Sequence, residues 1–312
     1  MKTNPVTKAD IEASVLSVPP LARRADGAID VNENRRLLAH LRSGGVRTFM
    51  YGGNANLYNM APSEFGRLIE MLPTLAVDGD WFIPSVGSDF GKALDQIEML
   101  RDHPYPTAMV LPHRFPAVPD GVATGLRRLA DAYGRPIIAY VKDDGYIEAA
   151  DLGRLAADGV ICAIKYAVVR NKPEIDPYLE EILSVVDRSM VISGIGERPA
   201  IEHLTKFGLV CFTSGSVCVA PGLSMALLRA IRRGDHAEAH RLRALFIPLE
   251  DLRDGISPLR VLHEAVKFAG IAETGPLQPF LSNITEAAQL AAIKREAMNL
   301  LDAERRAATK AA

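Results

Sequence analysis

"PIIAYVKDDGYIEAADLGRLAADGVICAIK", residues 136–165, holds the pattern that decides the fold of this 312-residue chain. Two short apolar runs, 136–140 and 160–165, flank a helical stretch at 148–159. Continuous apolar runs of this length suit strands of a parallel sheet covered on both faces. Six more runs of the same kind occur: "ASVLSVP" (13–19), "RTFMY" (47–51), "WFIPSV" (81–86), "PTAMVL" (106–111), "SMVIS" (189–193) and "LVCFT" (209–213). Helical patterns fill the gaps. "VNENRRLLAHLRSGG" (31–45) sets Leu37, Leu38 and Leu41 on one face and ends on glycine, a helix stop. "APSEFGRLIEMLPTL" opens on Pro62, Ser63 and Glu64, good first-turn residues, and carries Phe65, Leu68, Ile69 and Leu72.

Eight strands alternating with eight helices predict an α/β protein, a (β/α)8 TIM barrel. A doubly wound open sheet needs no such eightfold count, and no glycine-rich dinucleotide fingerprint follows the first strand. Beyond residue 235 the pattern turns purely helical. The expected organisation is a barrel over 1–234 and a C-terminal helical region over 235–312, packed on the barrel or on another subunit.

Nearly half the residues are hydrophobic (48%), enough for one large core. The net charge is −2 and no long basic run occurs, so nucleic acid and anionic membranes are not expected partners. Pairs such as Arg127–Arg128 suit a solvated helix face. The three cysteines, Cys162, Cys211 and Cys218, lie in apolar stretches without metal-ligand spacing, which fits buried reduced thiols. No apolar signal core and no membrane-length run is present, so a cytoplasmic protein is expected.

In such barrels the chemistry sits at the C-terminal ends of the strands. Lys165 closes the sixth run. A lysine finishing a buried strand loses water, which favours its neutral amine, and a neutral amine can attack a carbonyl to form an imine. A lysine that caps the strand and reaches solvent is the alternative. Tyr140 closes the fifth run, and its phenol can move protons. The second strand runs into "YGGNAN" (51–56), where glycine allows backbone to approach an anion and the Asn54 amide can donate hydrogen bonds. A tight turn that needs glycine and asparagine at positive φ explains the same composition.

Taken in order, these strand ends resemble the dihydrodipicolinate synthase/N-acetylneuraminate lyase family of class I aldolases, from "SVLSVPPLARRADGAIDVNENRRLLAHLRSGGV" to about residue 290. "PIIAY" is similar to the strand that ends in the family's catalytic tyrosine, "VICAIK" to the one that ends in its Schiff-base lysine, and "VISGIGERPAIEHLTKFGLVCFTSGS" to the segment around strands seven and eight. The resemblance implies Lys165 as imine-forming nucleophile and Tyr140 as proton donor and acceptor. It implies a substrate carboxylate held near Gly53 and Asn54, where the family has two threonines. It places Gly194, just after strand seven, and Cys211, within strand eight, among the substrate-binding candidates. It implies no metal and no organic cofactor, only the covalent imine on Lys165, and a homotetramer or homodimer acting on a small 2-oxo acid.

Departures narrow the reading. The synthase's proton relay uses the first threonine and a tyrosine from the strand-four loop, and here Gly53 and Arg114 occupy those positions. His113 and Arg114, in "LPHRFP", offer instead acid–base help and a charge clamp. Lysine-pathway synthase activity is therefore not expected. The expected activity is a Schiff-base lyase of a 2-oxo acid, by retro-aldol cleavage or dehydration of a 2-keto-3-deoxy sugar acid, or pyruvate aldol chemistry. "YVKDDGYI" (140–147) and "GPLQPFL" (275–281) resemble a subgroup of sugar-acid dehydratases acting on 5-dehydro-4-deoxyglucarate, with Lys142 for an arginine and Asp144 for an asparagine. That subgroup's strand-two glutamate and serine are not reproduced by Asn56 and Leu57. An alternative of another class is a barrel that binds a 2-oxo acid without turning it over, since fold alone does not imply activity.

Overall fold

The eight apolar runs form eight parallel strands, and the strands close into a barrel in chain order. They are β1 (Leu16–Ser17), β2 (Thr48–Tyr51), β3 (Trp81–Val86), β4 (Met109–Val110), β5 (Ile137–Val141), β6 (Ile161–Tyr166), β7 (Val191–Ser193) and β8 (Cys211–Ser214). The computed structural model describes residues 1–311. A short helix, α1 (Lys8–Glu12), precedes the barrel, and one helix follows each strand: α2 (Val31–Ser43), α3 (Pro62–Thr74), α4 (Phe90–Arg101), α5 (Pro119–Tyr133), α6 (Ala149–Ala157), α7 (Pro177–Val185), α8 (Ala200–Thr205) and α9 (Pro221–Arg232). Three further helices, α10 (His236–Gly255), α11 (Pro258–Phe268) and α12 (Ala287–Ala311), form the C-terminal extension. The fold is therefore the (β/α)8 barrel with helical extension that the sequence implies. Among the described residues, no helix is long and apolar enough to cross a membrane.

Local chemistry sets these boundaries. Asp30 caps α2 by accepting hydrogen bonds from the Asn32 and Glu33 amides, at 3.0 and 3.1 Å. Leu37, Leu38 and Leu41 are fully buried, each a gain of about 1.5–3 kcal/mol over exposure. The glycine after α2 does more than stop it. A Cβ on Gly44 would lie 2.4 Å from the Gly222 nitrogen, so the glycine lets the end of α2 press against the start of α9. β1 and β4 are much shorter than their apolar runs, at two residues each. β1 pairs over only two residues of 13–19, and the prolines that follow at 19 and 20 have no N–H to extend the ladder. Helix α1 went unread in the sequence, although Thr7 and Asp10 form a reciprocal cap there.

One irregularity positions the site. Ile137 of β5 pairs with Ile161 of β6, but Ile138 pairs with Ala163. The extra residue, Cys162, is a bulge. Because side chains alternate along a strand, one inserted residue changes which ones face inward. In the unshifted register Tyr140 would face Ile164; past the bulge it pairs with Lys165.

Candidate active site

The bulge sets Tyr140 and Lys165 side by side at the C-terminal mouth of the barrel. The Lys165 Nζ lies 4.0 Å from the centroid of the Tyr140 ring. Lys165 is 4% exposed. No hydrogen bond or ion pair of its ammonium occurs among the described residues. Burial, then the charges of Lys142 and Arg253, bring its pKa down to about 7. The face of the tyrosine ring favours the charged ammonium, but loss of water and two like charges outweigh it. Near neutral pH a large share of Lys165 is therefore free amine. Burial raises the Tyr140 phenol to about 12, so it holds its proton at neutral pH and can lend it.

Both side chains border a cavity of about 400 Å³. Gly53, Asn54 and Gly194, expected from the sequence, line it as well. The loop after β2 explains its own composition in parts. A Cβ on Gly52 would meet the Met109 methyl and the Ser85 hydroxyl at 2.9 Å, so the first glycine is needed for packing. A Cβ on Gly53 would have room. The left-handed residue is Asn56 (φ 57°), not a glycine. Asn54 donates through Nδ2 to the Val18 carbonyl at 2.8 Å, which leaves its second N–H for a ligand. Asn56 is buried at the cavity wall, and its amide nitrogen has no hydrogen-bond partner among the described residues.

Three expected positions lie away from this cavity. Arg114 is exposed and holds Asp143 through two hydrogen bonds of 2.9 and 2.8 Å, in a separate hollow with Asp144 and Tyr146. Its guanidinium is committed to a carboxylate of the next loop. His113 is tied down at the backbone, where its N–H donates to the Tyr146 hydroxyl at 3.2 Å. Cys211 is fully buried and donates its thiol to the Ser14 carbonyl at 3.0 Å. Burial raises that thiol to about 12. Thr213, two residues on and so on the same face of β8, lines the cavity instead.

The structure adds residues that the sequence reading passed over. Tyr58, from the same loop as Asn54, lines the cavity close enough to Tyr140 for a charge on one phenol to act on the other. Burial raises the Tyr58 phenol as well. Lys142 stands at the rim, two residues beyond Tyr140, and partial burial followed by the Arg114 charge lowers its pKa. Helix α10 contributes Glu250 and Arg253, both buried. Glu250 packs against Glu197, from the loop after β7. The Glu197 N–H donates to Glu250 Oε1 at 3.1 Å, and the other Glu250 oxygen has no hydrogen-bond partner among the described residues. The hydroxyls of Ser214 and Ser224 donate to the two oxygens of Glu197, at 2.8 and 2.6 Å. Burial and then the charge of Glu197 raise the Glu250 pKa well above the usual carboxylate range. The only sequence sign of this cluster was a Glu and an Arg three apart on an ordinary amphipathic helix. Among the described residues, no group of three or more His, Cys, Asp or Glu is arranged to hold a metal.

Fold and site define a (β/α)8 barrel with a buried amine and a phenol at its C-terminal mouth. Comparison with known proteins narrows this. No family model matches the chain. It is 24% identical over 278 residues to a probable 5-dehydro-4-deoxyglucarate dehydratase 2 of Streptomyces coelicolor, covering 88% of this chain and 84% of that one. It is 23% identical over 289 residues to a probable 5-dehydro-4-deoxyglucarate dehydratase of Xanthobacter autotrophicus, covering 89% and 93%. Among solved structures, dihydrodipicolinate synthase from Bacillus clausii superposes with a TM-score of 0.82 at 20% identity, over 96% of this chain and 100% of that one. YagE from E. coli K12, a dihydrodipicolinic acid synthase family protein in complex with pyruvate, gives 0.79 at 18% identity, over 92% and 98%. The chain thus shares the barrel fold of dihydrodipicolinate synthase, and these two sequence relatives are named as dehydratases.

Proposed function

We propose that the chain is a Schiff-base-forming lyase of a 2-oxo acid, and that it works as a dehydratase on a sugar diacid of the 5-dehydro-4-deoxyglucarate kind. The observation that carries this reading is the pairing of Lys165 and Tyr140: a buried lysine with a pKa near 7, 4.0 Å from the ring of a protonated phenol. The choice of dehydration over cleavage is supported by the sequence relatives, which are named as dehydratases.

The Lys165 amine adds to the keto carbon. Tyr140 gives a proton to the carbinolamine oxygen, and water leaves to form the imine. Loss of a proton from the neighbouring carbon makes an enamine. The enamine electrons then form a carbon–carbon double bond toward the next carbon as its hydroxyl leaves with a proton, and the imine is restored. Tyr58, next to Tyr140, offers a second phenol where the synthase relay has no counterpart in Gly53 and Arg114. The donor-rich wall of Asn54 and Asn56 suits a hydroxylated acid, and Lys142 at the rim suits a second carboxylate.

The test is intact mass after incubation with pyruvate and sodium borohydride, with Lys165→Ala as control. The expected result is a mass gain of one reduced pyruvyl imine, absent from the variant. Conversion of 5-dehydro-4-deoxyglucarate with release of water then tests the dehydratase step. No adduct with pyruvate or with a panel of 2-oxo acids would leave a barrel that binds without chemistry.

A further inference from the structure

Arg253 is buried, at 9% exposure, yet no ion pair among the described residues includes it. Its neighbours account for that. Asp254, the next residue, pairs with Arg198 at 3.2 Å. Glu250, one helical turn back, is engaged by the Glu197 N–H at 3.1 Å, and burial and the Glu197 charge raise its pKa, which weakens it as a counterion. Among the described residues the guanidinium is held only by neutral acceptors: Nε donates to the Pro258 carbonyl at 3.2 Å and Nη1 to the Ser216 hydroxyl at 3.3 Å. A buried cation without a counterion is costly, and the remedy is an anion.

A second donor stands beside it. A Cβ on Gly215 would lie 2.6 Å from Arg253 Nη2 and 2.8 Å from Asn54 Nδ2. Two donors thus converge over a backbone that carries no side chain. Gly215, Asn54 and Arg253 all line the cavity that holds Lys165, and the Arg253 charge reaches the Lys165 amine. Besides the Lys165 amine, the lining carries the basic side chains Lys142 and Arg253, while burial raises the Glu250 pKa and Asp254 turns to Arg198.

We infer that Arg253, with Asn54 and over the bare backbone of Gly215, is the residue that selects and holds the carboxylate of the 2-oxo acid. The inference rests on the imine reading above and assigns its anionic end to the C-terminal helix α10. The Glu197–Glu250 pair supports it by keeping a carboxylate away from the guanidinium.

The experiment compares two carbonyl compounds of similar size, pyruvate and hydroxyacetone, the second with a neutral CH₂OH in place of the carboxylate. Each is trapped on Lys165 with cyanoborohydride at pH 9, where the lysine is largely neutral whether or not the Arg253 charge is present. Intact mass gives the half-saturating concentration. In Arg253→Gln the value for pyruvate rises by roughly tenfold to a hundredfold, as expected when a buried charge-assisted contact is lost. The value for hydroxyacetone stays within about twofold, so the preference for the acid collapses. Arg253→Lys keeps a charge and holds part of the preference; it also serves where the glutamine variant does not fold. Equal losses for both compounds, or no change for pyruvate, would overturn the assignment. Because hydroxyacetone reports imine formation without a carboxylate, failure of the lysine chemistry shows as no trapping of either compound on the unaltered protein.

Discussion

Arg114 and Arg253 stand at two sides of one barrel mouth and end in opposite states. Arg114 is exposed and paired with Asp143 through two hydrogen bonds, while Arg253 is buried and without an ion pair among the described residues, near a carboxyl group whose pKa burial raises. Exposed pairs of the first kind contribute about 0–1 kcal/mol. A buried unpaired charge of the second kind destabilises the fold unless something binds it. The same contrast separates Lys142, at the rim, from Lys165, buried behind it. In both comparisons the group that costs the fold most borders the cavity, where its charge or its lost proton has a use.

The largest way to break this contrast is to remove the buried amine. Lys165→Met is expected to lower turnover by at least about 10⁴-fold and to abolish the borohydride adduct, as for loss of a covalent nucleophile. The same variant should be more stable than the parent in acid. A lysine whose folded pKa lies below its unfolded value opposes folding fully below about pH 7, and that penalty fades as pH rises toward 10.5. Thermal melts should show a gain on the order of 2–4 kcal/mol near pH 6, shrinking toward pH 10. A gain that grew with pH would contradict the burial argument.

Next in size is the phenol. Tyr140→Phe should cut turnover by about 10²–10³-fold while slow trapping with pyruvate persists, because the proton carrier goes and the nucleophile stays. Rapid-quench mass spectrometry separates the two steps. Full turnover in the phenylalanine variant would move proton transfer to Tyr58 or to water.

Glu250→Gln sharpens the contrast from the other side. Burial raises the Glu250 pKa, so a neutral amide in its place should change half-saturation by pyruvate near pH 7 by less than about twofold. Were Glu250 ionised there, removing its charge would free Arg253 and tighten binding markedly. In stability the two should part with rising pH. A carboxyl group whose pKa is raised in the fold loses its favourable contribution as pH climbs through that value, and glutamine does not. The smallest effect belongs to the paired arginine. Arg114→Ala should leave half-saturation within about twofold and cost less than about 1 kcal/mol in a urea titration. A tenfold loss would return Arg114 to the substrate.

The barrel was legible in the sequence because each strand is a short apolar run set between helices with ordinary caps. Lys165 and Tyr140 were legible because each closes such a run. The bulge at Cys162 was not, since an inserted residue leaves no mark on a strand that is apolar on both faces. Arg114 looked like a site residue because it follows a strand, but its direction is set by Asp143, 29 positions away. Arg253 and Glu250 were hidden for the opposite reason. They sit on an amphipathic helix where a charged residue every few positions is expected, and only the packing of α10 over the mouth reveals that these two face inward.

The most direct test of the central claim is the pH dependence of imine trapping on Lys165. The apparent rate of pyruvate capture with cyanoborohydride, followed by intact mass, should rise with pH to a midpoint near 7, and the Lys165→Met control should stay unmodified. That result would show a desolvated lysine poised as a nucleophile at neutral pH. A rate still climbing at pH 10, or an adduct that survives the methionine substitution, would show an ordinary surface lysine at work and contradict the account.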